Sequence, residues 1–405
     1  MRLTLLFLTI SYSLLGQFVI PVQSDTLVPK FELIGYGIAD VGSTAVENAF
    51  LGKFSFGGNI DEGIKNASYE RHKRLNRIGV DVQTELEFRN YQSAVFGMQR
   101  FGWLLRGGIY VNGGAVYTDD LFGLAFYGNE RFLGQELSLT GSRGGAWSFR
   151  KIGLGVIDKK SKSNISLNAY SIAAYSQADL REVSLYQSEM GDSLSLRYHG
   201  FTETLIGSSP FRGWGVGIDA DIRIPVQVNK GRTATIQFLL KNAGVAWLPS
   251  VQRYSADTSF SFSGFSLDQL FDLSDAYSSV NDLSDTLRIV GDTIRSIRFT
   301  PAFLQVGKLI SEDNSIRVQT FYGARMYPSL VLIPQVYAGL DYRPANWISL
   351  GFSGAFGGYT GFRAGLYANM RFKGLNLALA SEHIIATVLP SGTGRSLMFR
   401  INYRI

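Results

Sequence analysis

Hydrophobic and polar positions alternate one for one along residues 78 to 89, IGVDVQTELEFR. Ile78, Val80, Val82, Thr84, Leu86 and Phe88 fall on one face of an extended strand, and Gly79, Asp81, Gln83, Glu85, Glu87 and Arg89 on the other. A period of two sustained this long is a strand signal. It returns at 214 to 224, where Trp214, Val216, Ile218, Ala220, Ile222 and Ile224 oppose Gly215, Gly217, Asp219, Asp221 and Arg223. It returns again at 362 to 373, with Phe362, Ala364, Leu366, Ala368, Met370 and Phe372 against Arg363, Gly365, Tyr367, Asn369, Arg371 and Lys373. Weaker alternation runs through 32–40, 48–57, 93–101, 146–157, 164–175, 180–188, 193–200, 232–242, 302–310, 316–326, 335–342, 347–356, 375–385 and 397–405.

Strands of about 9 to 11 residues cross a membrane at a tilt, so the pattern predicts an all-β fold: a single transmembrane antiparallel β-barrel of about 14 strands, within 12 to 16. A soluble β-sandwich also alternates. Against it stand the length of the strands, where about five or six residues is usual, and the recurrence of aromatics near the turns. Tyr322, Tyr327, Tyr342, Trp347, Phe356, Tyr359, Phe362, Tyr367 and Phe372 are placed as interface girdles would be. Closure follows, because an open sheet edge in hydrocarbon leaves unpaired N–H and C=O groups that cost several kcal/mol each. Apolar faces then meet lipid. The charged faces make Asp81, Gln83, Glu85, Glu87, Arg89, Asp219, Asp221, Arg223, Arg363 and Arg371 candidates to line the lumen.

The chain closes on LMFRINYRI, with Leu397, Phe399, Ile401, Tyr403 and Ile405 on one face and Arg400 and Arg404 on the other. An apolar, aromatic-bearing last strand is the general signal read by barrel assembly machinery. The two arginines join the lumen candidates, since arginine on the lipid face at the midplane costs about 2–4 kcal/mol.

Two stretches break the pattern. Residues 118–134, TDDLFGLAFYGNERFLG, predict a short helix capped by Thr118, with Asp119 and Asp120 at its positive end and Gly128 as its stop. Leu121, Phe122, Leu124 and Phe126 make its body apolar nearly all round. It is a candidate plug in the lumen or a packed loop segment, with an interfacial helix as the alternative. Residues 254–287 form an acidic long loop with six aspartates and neither lysine nor arginine. Its spacing does not match an EF-hand series.

Met1 and Arg2 precede the apolar run LTLLFLTISYSLL, and Val22 and Ser24 are small, which predicts a signal peptide over 1–24 and export of 25–405 as one barrel. The chain has no cysteine, which excludes disulfides and thiolate chemistry. Its 45 glycines and 13% aromatics, with charged residues at 18% against about 25% in ordinary soluble domains, fit β structure with unusual surfaces. A formal charge of +6, or +5 once Arg2 leaves, shows no clustered basic stripe and argues against nucleic acid.

Candidate chemistry is sparse. His72, His199 and His383 lie far apart, and no phosphate-loop, nucleophile-elbow or dinucleotide motif stands in the right context. Neither a cofactor nor a metal is expected. Glu85 and Glu87 could do acid–base work in the lumen, but interleaved with Arg89 they read as a salt-bridged lining.

The runs VYTDDLFGLAFYGNERFLGQELSL (116–139), KNAGVAWLP (241–249), SFSFSGFSLDQLFD (259–272) and RFTPAFLQVGK (298–308), with the closing LALASEHI and LMFRINY, together resemble a domain-of-unknown-function family of Gram-negative outer-membrane barrels. That family is similar in outline to long-chain fatty-acid transporter barrels and to barrels that accompany the type IX secretion apparatus. The resemblance implies outer-membrane location, contact with lipid and handling by the assembly machinery. It does not carry over a ligand route, because 36–60 lacks the Asn-Pro-Ala hatch of the transporters. The expected function is non-enzymatic passage or binding of a small or amphipathic ligand in the lumen. The alternatives are a scaffold that docks an envelope or secretion partner and, last, an enzyme using lumenal carboxylates.

Overall fold

The apolar faces of the strands turn outward and the polar faces inward until the last strand meets the first. The computed structural model describes residues 23–24, 28–207, 209, 211–229, 232–262, 289–311, 316–326 and 334–405. Most of the proposed signal segment, Tyr327 and the 263–287 part of the acidic segment lie outside those residues.

Fourteen antiparallel strand positions close the barrel among the described residues. They are β1 (Phe31–Ser43), β2 (Leu75–Asn90), β3 (Phe101–Thr118), β4 (Ser142–Asp158, preceded by Glu136–Ser138) and β5 (Asn164–Gln187). Next come β6 (Leu194–Leu205 continued by Gly213–Asn229), β7 (Arg232–Phe262) and β8 (Val290–Phe299 continued by Phe303–Lys308). The rest are β9 (Val318–Met326), β10 (Pro334–Ala345), β11 (Ile348–Gly357), β12 (Gly361–Phe372), β13 (Leu375–Ser381) and β14 (Gly394–Arg404). β6 counts once because both its pieces lie between β5 and β7: Leu205 faces Val251, and Trp214 faces Trp247. β8 is likewise one broken strand along β7. β14 seals the cylinder by pairing with β1 from Gly394↔Gly42 to Arg404↔Glu32.

Side-chain burial follows the alternation. In β2, Asp81, Gln83, Glu85, Glu87 and Arg89 are buried while Leu86 is exposed; in β6, Asp219, Asp221 and Arg223 are buried while Trp214, Val216, Ile218 and Ile224 are exposed. The exposed set forms an apolar outer belt, the surface that hydrocarbon favours. Not every inward position is charged: Tyr110, Trp147, Phe149, Tyr170, Ile172 and Tyr175 pack as an apolar lining along β3, β4 and β5.

At 24 and 31 residues, β5 and β7 far exceed the roughly 9–11 needed to cross a bilayer, so this side of the barrel stands clear of it. The expected acidic loop is corrected at its start: 254–262 belong to β7, and Ser255 to Phe262 pair with Phe201 to Leu194. A neighbour that accepts every ladder hydrogen bond overrides weak local alternation.

Among the described residues four α-helices gather at the end where β1 finishes: α1 (Asn48–Phe56), α2 (Glu62–Tyr69), α3 (Asp119–Tyr127) and α4 (Ile384–Val388). The alternation at 48–57 predicted strand, and α1 corrects it. Phe50, Leu51 and Phe54 at helical spacing meet Phe122 and Phe126 of α3, and that packing outweighs a local period of two. The predicted strand at 93–101 is also a correction, being turn and loop up to Phe101. The one predicted over 375–385 ends at Ser381, with α4 following.

The α3 helix forms as its sequence predicts. Thr118 Oγ1 accepts from Leu121 N at 3.1 Å, and Gly128 (φ 77°) ends the helix. Phe122 is buried, while Leu121, Leu124 and Phe126 are half-buried. A lumenal plug is not what α3 makes. It packs, with α1 and α2, on Val41, Ile78 and Tyr117, which belong to the outward-facing registers of β1, β2 and β3. The three helices form a collar outside the rim. What crosses the lumen at that end is Tyr359, from the turn after β11, whose ring lies on the inward Gly79. A Cβ at Gly79 would overlap that ring.

The aromatic girdle is corrected at two positions. Tyr322, Tyr342, Trp347, Phe356, Phe362 and Phe372 are exposed on the outer surface, whereas Tyr359 and Tyr367 are buried. Tyr367 donates to Asp341 Oδ1 at 2.7 Å from the inward register of β12, so its hydroxyl is satisfied inside the barrel.

Candidate functional site: the barrel lumen

The inward residues of β1 to β8 form a continuous lattice of charges. Asp219 is its hub. It accepts from Arg106 Nη1 at 2.8 Å, Lys151 Nζ at 2.6 Å, Asn168 Nδ2 at 2.9 Å and the backbone N–H of Asn242 at 2.7 Å. Glu85 takes Lys151 Nζ at 2.9 Å and Lys241 Nζ at 3.0 Å, and accepts the hydroxyl of Tyr110. Glu87 takes Arg106 Nη2 at 2.9 Å and the guanidinium of Arg89.

Towards the end where β14 finishes, Glu32 accepts from Arg89 Nη1 at 3.2 Å, Tyr91 OH at 2.8 Å, Asn402 Nδ2 at 2.9 Å and Arg404 Nε at 3.1 Å. Asp221 takes Arg223 Nη2 at 2.8 Å and Gln237 Nε2 at 2.7 Å. Towards the helical end, Arg363 Nη1 bridges Asp40 at 3.0 Å and Glu382 at 2.8 Å, Arg325 also holds Glu382, and His383 Nε2 lies 3.0 Å from Asp40. Asp81 differs from these carboxylates in that its side-chain donors among the described residues are the amides of Asn112 and Gln83, with no cation in an ion pair.

Buried charges persist only when paired and hydrogen-bonded. Glu87–Arg89 and Asp221–Arg223 pair along one strand, while Arg106, Lys151 and Lys241 reach Glu85, Glu87 and Asp219 across strands. The bulge in β7 makes this possible. Asn242 sits at φ 56°, a conformation in which Asn is several-fold enriched among non-glycine residues, and the register shifts between Leu240 and Ala243. The bulge turns its backbone N–H to Asp219 and its side-chain oxygen to Lys151 Nζ at 3.0 Å, while Thr300, at the break in β8, donates to its carbonyl at 2.6 Å.

The lattice leaves a cavity of ≈ 150 Å³ between β1, β14 and the Glu85–Asp221 wall. Its surface is mixed: Ile34, Ile38, Leu239 and Met398 share it with Glu85, Arg106, Asp221, Arg223 and Arg400. Asn164 and Arg223 also line a vestibule of ≈ 1860 Å³ at the opposite end from the helices, where both Arg404 and Arg371 reach.

Of the residues singled out from the sequence, Asp81, Gln83, Glu85, Glu87, Arg89, Asp219, Asp221, Arg223 and Arg363 are buried inside. Arg371, Arg400 and Arg404 are half-buried nearer the vestibule. Leu397, Ile401, Tyr403 and Ile405 are exposed on the outer face of the closing strand, with Phe399 half-buried beside them. Glu32, Asp40, Arg106, Lys151, Lys241, Asn242, Arg325 and Glu382 were missed. Arg106 and Lys151 left a signal, Arg106 as the lone cation of an apolar, glycine-rich strand and Lys151 as the cation on the inward phase of the apolar, glycine-rich run 144–157. The bulge at Asn242 left none. Among the described residues no cluster of His, Asp or Glu is arranged to hold a metal.

The model of a family of unknown function, DUF5723, matches residues 158–382. Among solved structures, the toluene transporter TodX of P. putida is similar at 12% identity, covering 92% of this chain and 87% of that one with a TM-score of 0.34. The translocator domain of the autotransporter NalP from Neisseria meningitidis is similar at 9% identity, covering 94% and 90% with a TM-score of 0.30. No curated protein matches.

Proposed function

Because this chain belongs to DUF5723, a family of unknown function, its role has to come from its own interior, and we propose a non-enzymatic outer-membrane barrel that binds a small ligand in its lumen and passes it. The carrying observation is the mixed cavity of ≈ 150 Å³ inside the charged lattice, continuous in its lining with the vestibule through Asn164 and Arg223. Apolar and charged groups on one wall suit a small ligand that has both characters. The carboxylates that could serve an enzyme, Glu85 and Glu87, are each occupied by cations. That favours a lining role over proton transfer.

The exposed apolar belt supports contact with outer-membrane lipid. The outward Leu397, Ile401, Tyr403 and Ile405 support recognition of β14 by barrel assembly machinery. At the helical end, Tyr359 over Gly79 and the buried Glu382 and His383 ahead of α4 obstruct the lumen, so passage requires this end to open.

The test is solute uptake by liposomes carrying the full chain or a Tyr359→Ala variant that also has 384–391 replaced by a short Gly-Ser linker. Faster uptake of small solutes by the variant is the expected result. Absence of both uptake and binding in the two forms would overturn the reading.

A further inference from the structure

We propose that the lumen between Arg400 and the vestibule is a binding site for a small oxyanion of the phosphate class, with Arg400 as the residue that takes the anion. The proposal deepens the lumenal-ligand reading and rests on it.

Among the described residues six cations line the inner cavity. Arg89, Arg106, Arg223, Lys241 and Arg325 each hold a carboxylate. Arg400 holds none: it makes no hydrogen bond or ion pair among the described residues, although it lies on the inward face of β14 between Met398 and Asn402. In a lattice where the other lining cations are matched, one unmatched guanidinium facing free space is an anion site waiting for its ion. The space beside it comes from the neighbouring strands. Ala378 is its register partner on β13 and is too short to fill the gap. Tyr36 is its partner on β1, and the Tyr36 hydroxyl is already taken by Lys241.

The approach carries the same sign. Lys159, Lys160, Lys162, Arg371 and Arg404 line the vestibule, and the one acidic lining residue among the described residues, Asp158, is occupied by Arg100. Cations along a low-dielectric channel concentrate anions and steer them inward, and rings of Arg and Lys serve anion and phosphate pores. A planar guanidinium donating two parallel N–H groups fits a tetrahedral oxyanion better than a halide. The inner cavity holds several times the ~30 Å³ share of one water, so a phosphate fits there. The vestibule has room for whatever group the phosphate carries.

The experiment is calorimetric titration of the full chain in maltoside micelles at low ionic strength, with inorganic phosphate, glycerol phosphate, chloride and glycerol as probes. Saturable one-to-one binding of both phosphates is expected, at least tenfold tighter than chloride, with none for glycerol. Arg400→Gln should weaken phosphate at least tenfold, and Arg400→Lys should recover part of the loss. Ala378→Glu should abolish binding by giving Arg400 a partner of its own, without lowering the temperature at which the barrel unfolds in heat-modified electrophoresis. It thus serves even if Arg400→Gln fails to assemble. Equal affinity for phosphate and chloride, or unchanged phosphate binding in Arg400→Gln or Ala378→Glu, would overturn the proposal. If neutral solutes still enter liposomes while phosphate does not bind, the oxyanion site falls and the lumenal function stands. If nothing binds or enters, both fall.

Discussion

The backbone N–H of Asn242 donates to the Asp219 carboxylate at 2.7 Å, from a left-handed residue at the bulge of β7. One irregular residue thereby joins a backbone dipole, a side-chain amide and the charge lattice at a single point. Its amide oxygen accepts from Lys151, which itself binds Asp219 and Glu85.

Substitution at Asn242 separates backbone from side chain. Asn242→Gly keeps the left-handed conformation and loses the contact to Lys151, a cost of about 1–3 kcal/mol for leaving a buried donor short of a partner. Asn242→Ala loses the contact and is also strained there, adding roughly 1 kcal/mol. Urea unfolding in detergent, followed by tryptophan fluorescence, should order the three proteins Asn, Gly, Ala from most to least stable.

Asp219 and Asp81 are both buried carboxylates with opposite expected behaviour. Asp219→Asn leaves Arg106 and Lys151 short of a counter-charge, which should cost about 3–5 kcal/mol. Asp81 accepts from two amides, so Asp81→Asn keeps a neutral hydrogen-bonding group and should change stability by less than about 1 kcal/mol. Matched unfolding midpoints for the two variants would contradict the lattice.

Tyr359 and Gly79 should be coupled. Gly79→Ala places a methyl against the ring and should cost about 1–3 kcal/mol. In a Tyr359→Ala background the same change should be nearly free. A double-mutant cycle with no interaction energy would remove Tyr359 from the lumen mouth.

The collar should weaken in acid. His72 Nδ1 meets Ser68 O at 2.8 Å and Nε2 meets Tyr117 OH at 3.1 Å, which suits a neutral ring with its proton on Nδ1. Burial lowers the His72 pKa below its ordinary value. The stability this gives is full above the unfolded value of about 6.5 and is lost as pH falls through the depressed folded value. Limited trypsin cleavage at Arg71 and Lys73 should therefore rise on going from pH 8 to pH 5, and His72→Gln should flatten that dependence.

Removing 397–405 deletes most of β14 and exposes the ladder edges of β1 and β13. Such edges are intolerable in hydrocarbon. The truncated chain should fail to reach the heat-modifiable folded form, with electrophoresis of outer-membrane fractions as the check.

The alternation in IGVDVQTELEFR and WGVGIDADIRI carried the fold, because a strand with lipid on one side and water or charge on the other has no freedom in which residues face where. It placed Asp81 through Arg89 and Asp219 through Arg223 on the inner side from local pattern alone. Thr118 and Gly128 marked the ends of α3 for the same reason, as caps act on the adjacent turn. Local pattern had no means of saying where α3 would rest. Its apolar body fits a lumen or a rim equally well, and the outward Tyr117, Ile78 and Val41 decided for the rim.

Which charges meet was a matter of closure. Arg106 and Asp219 are 113 residues apart, and Asp40 and His383 are 343 apart. Their pairing depends on strand order, stagger and a bulge at Asn242, none of which leaves a period in the chain. The same holds for Arg400, the one cation of the inner cavity without an ion pair among the described residues. LMFRINYRI determined that Arg400 and Arg404 point inward. Only the folded barrel set Glu32 beside Arg404 and the short Ala378 beside Arg400, because a neighbour across the sheet is chosen by register and not by sequence distance.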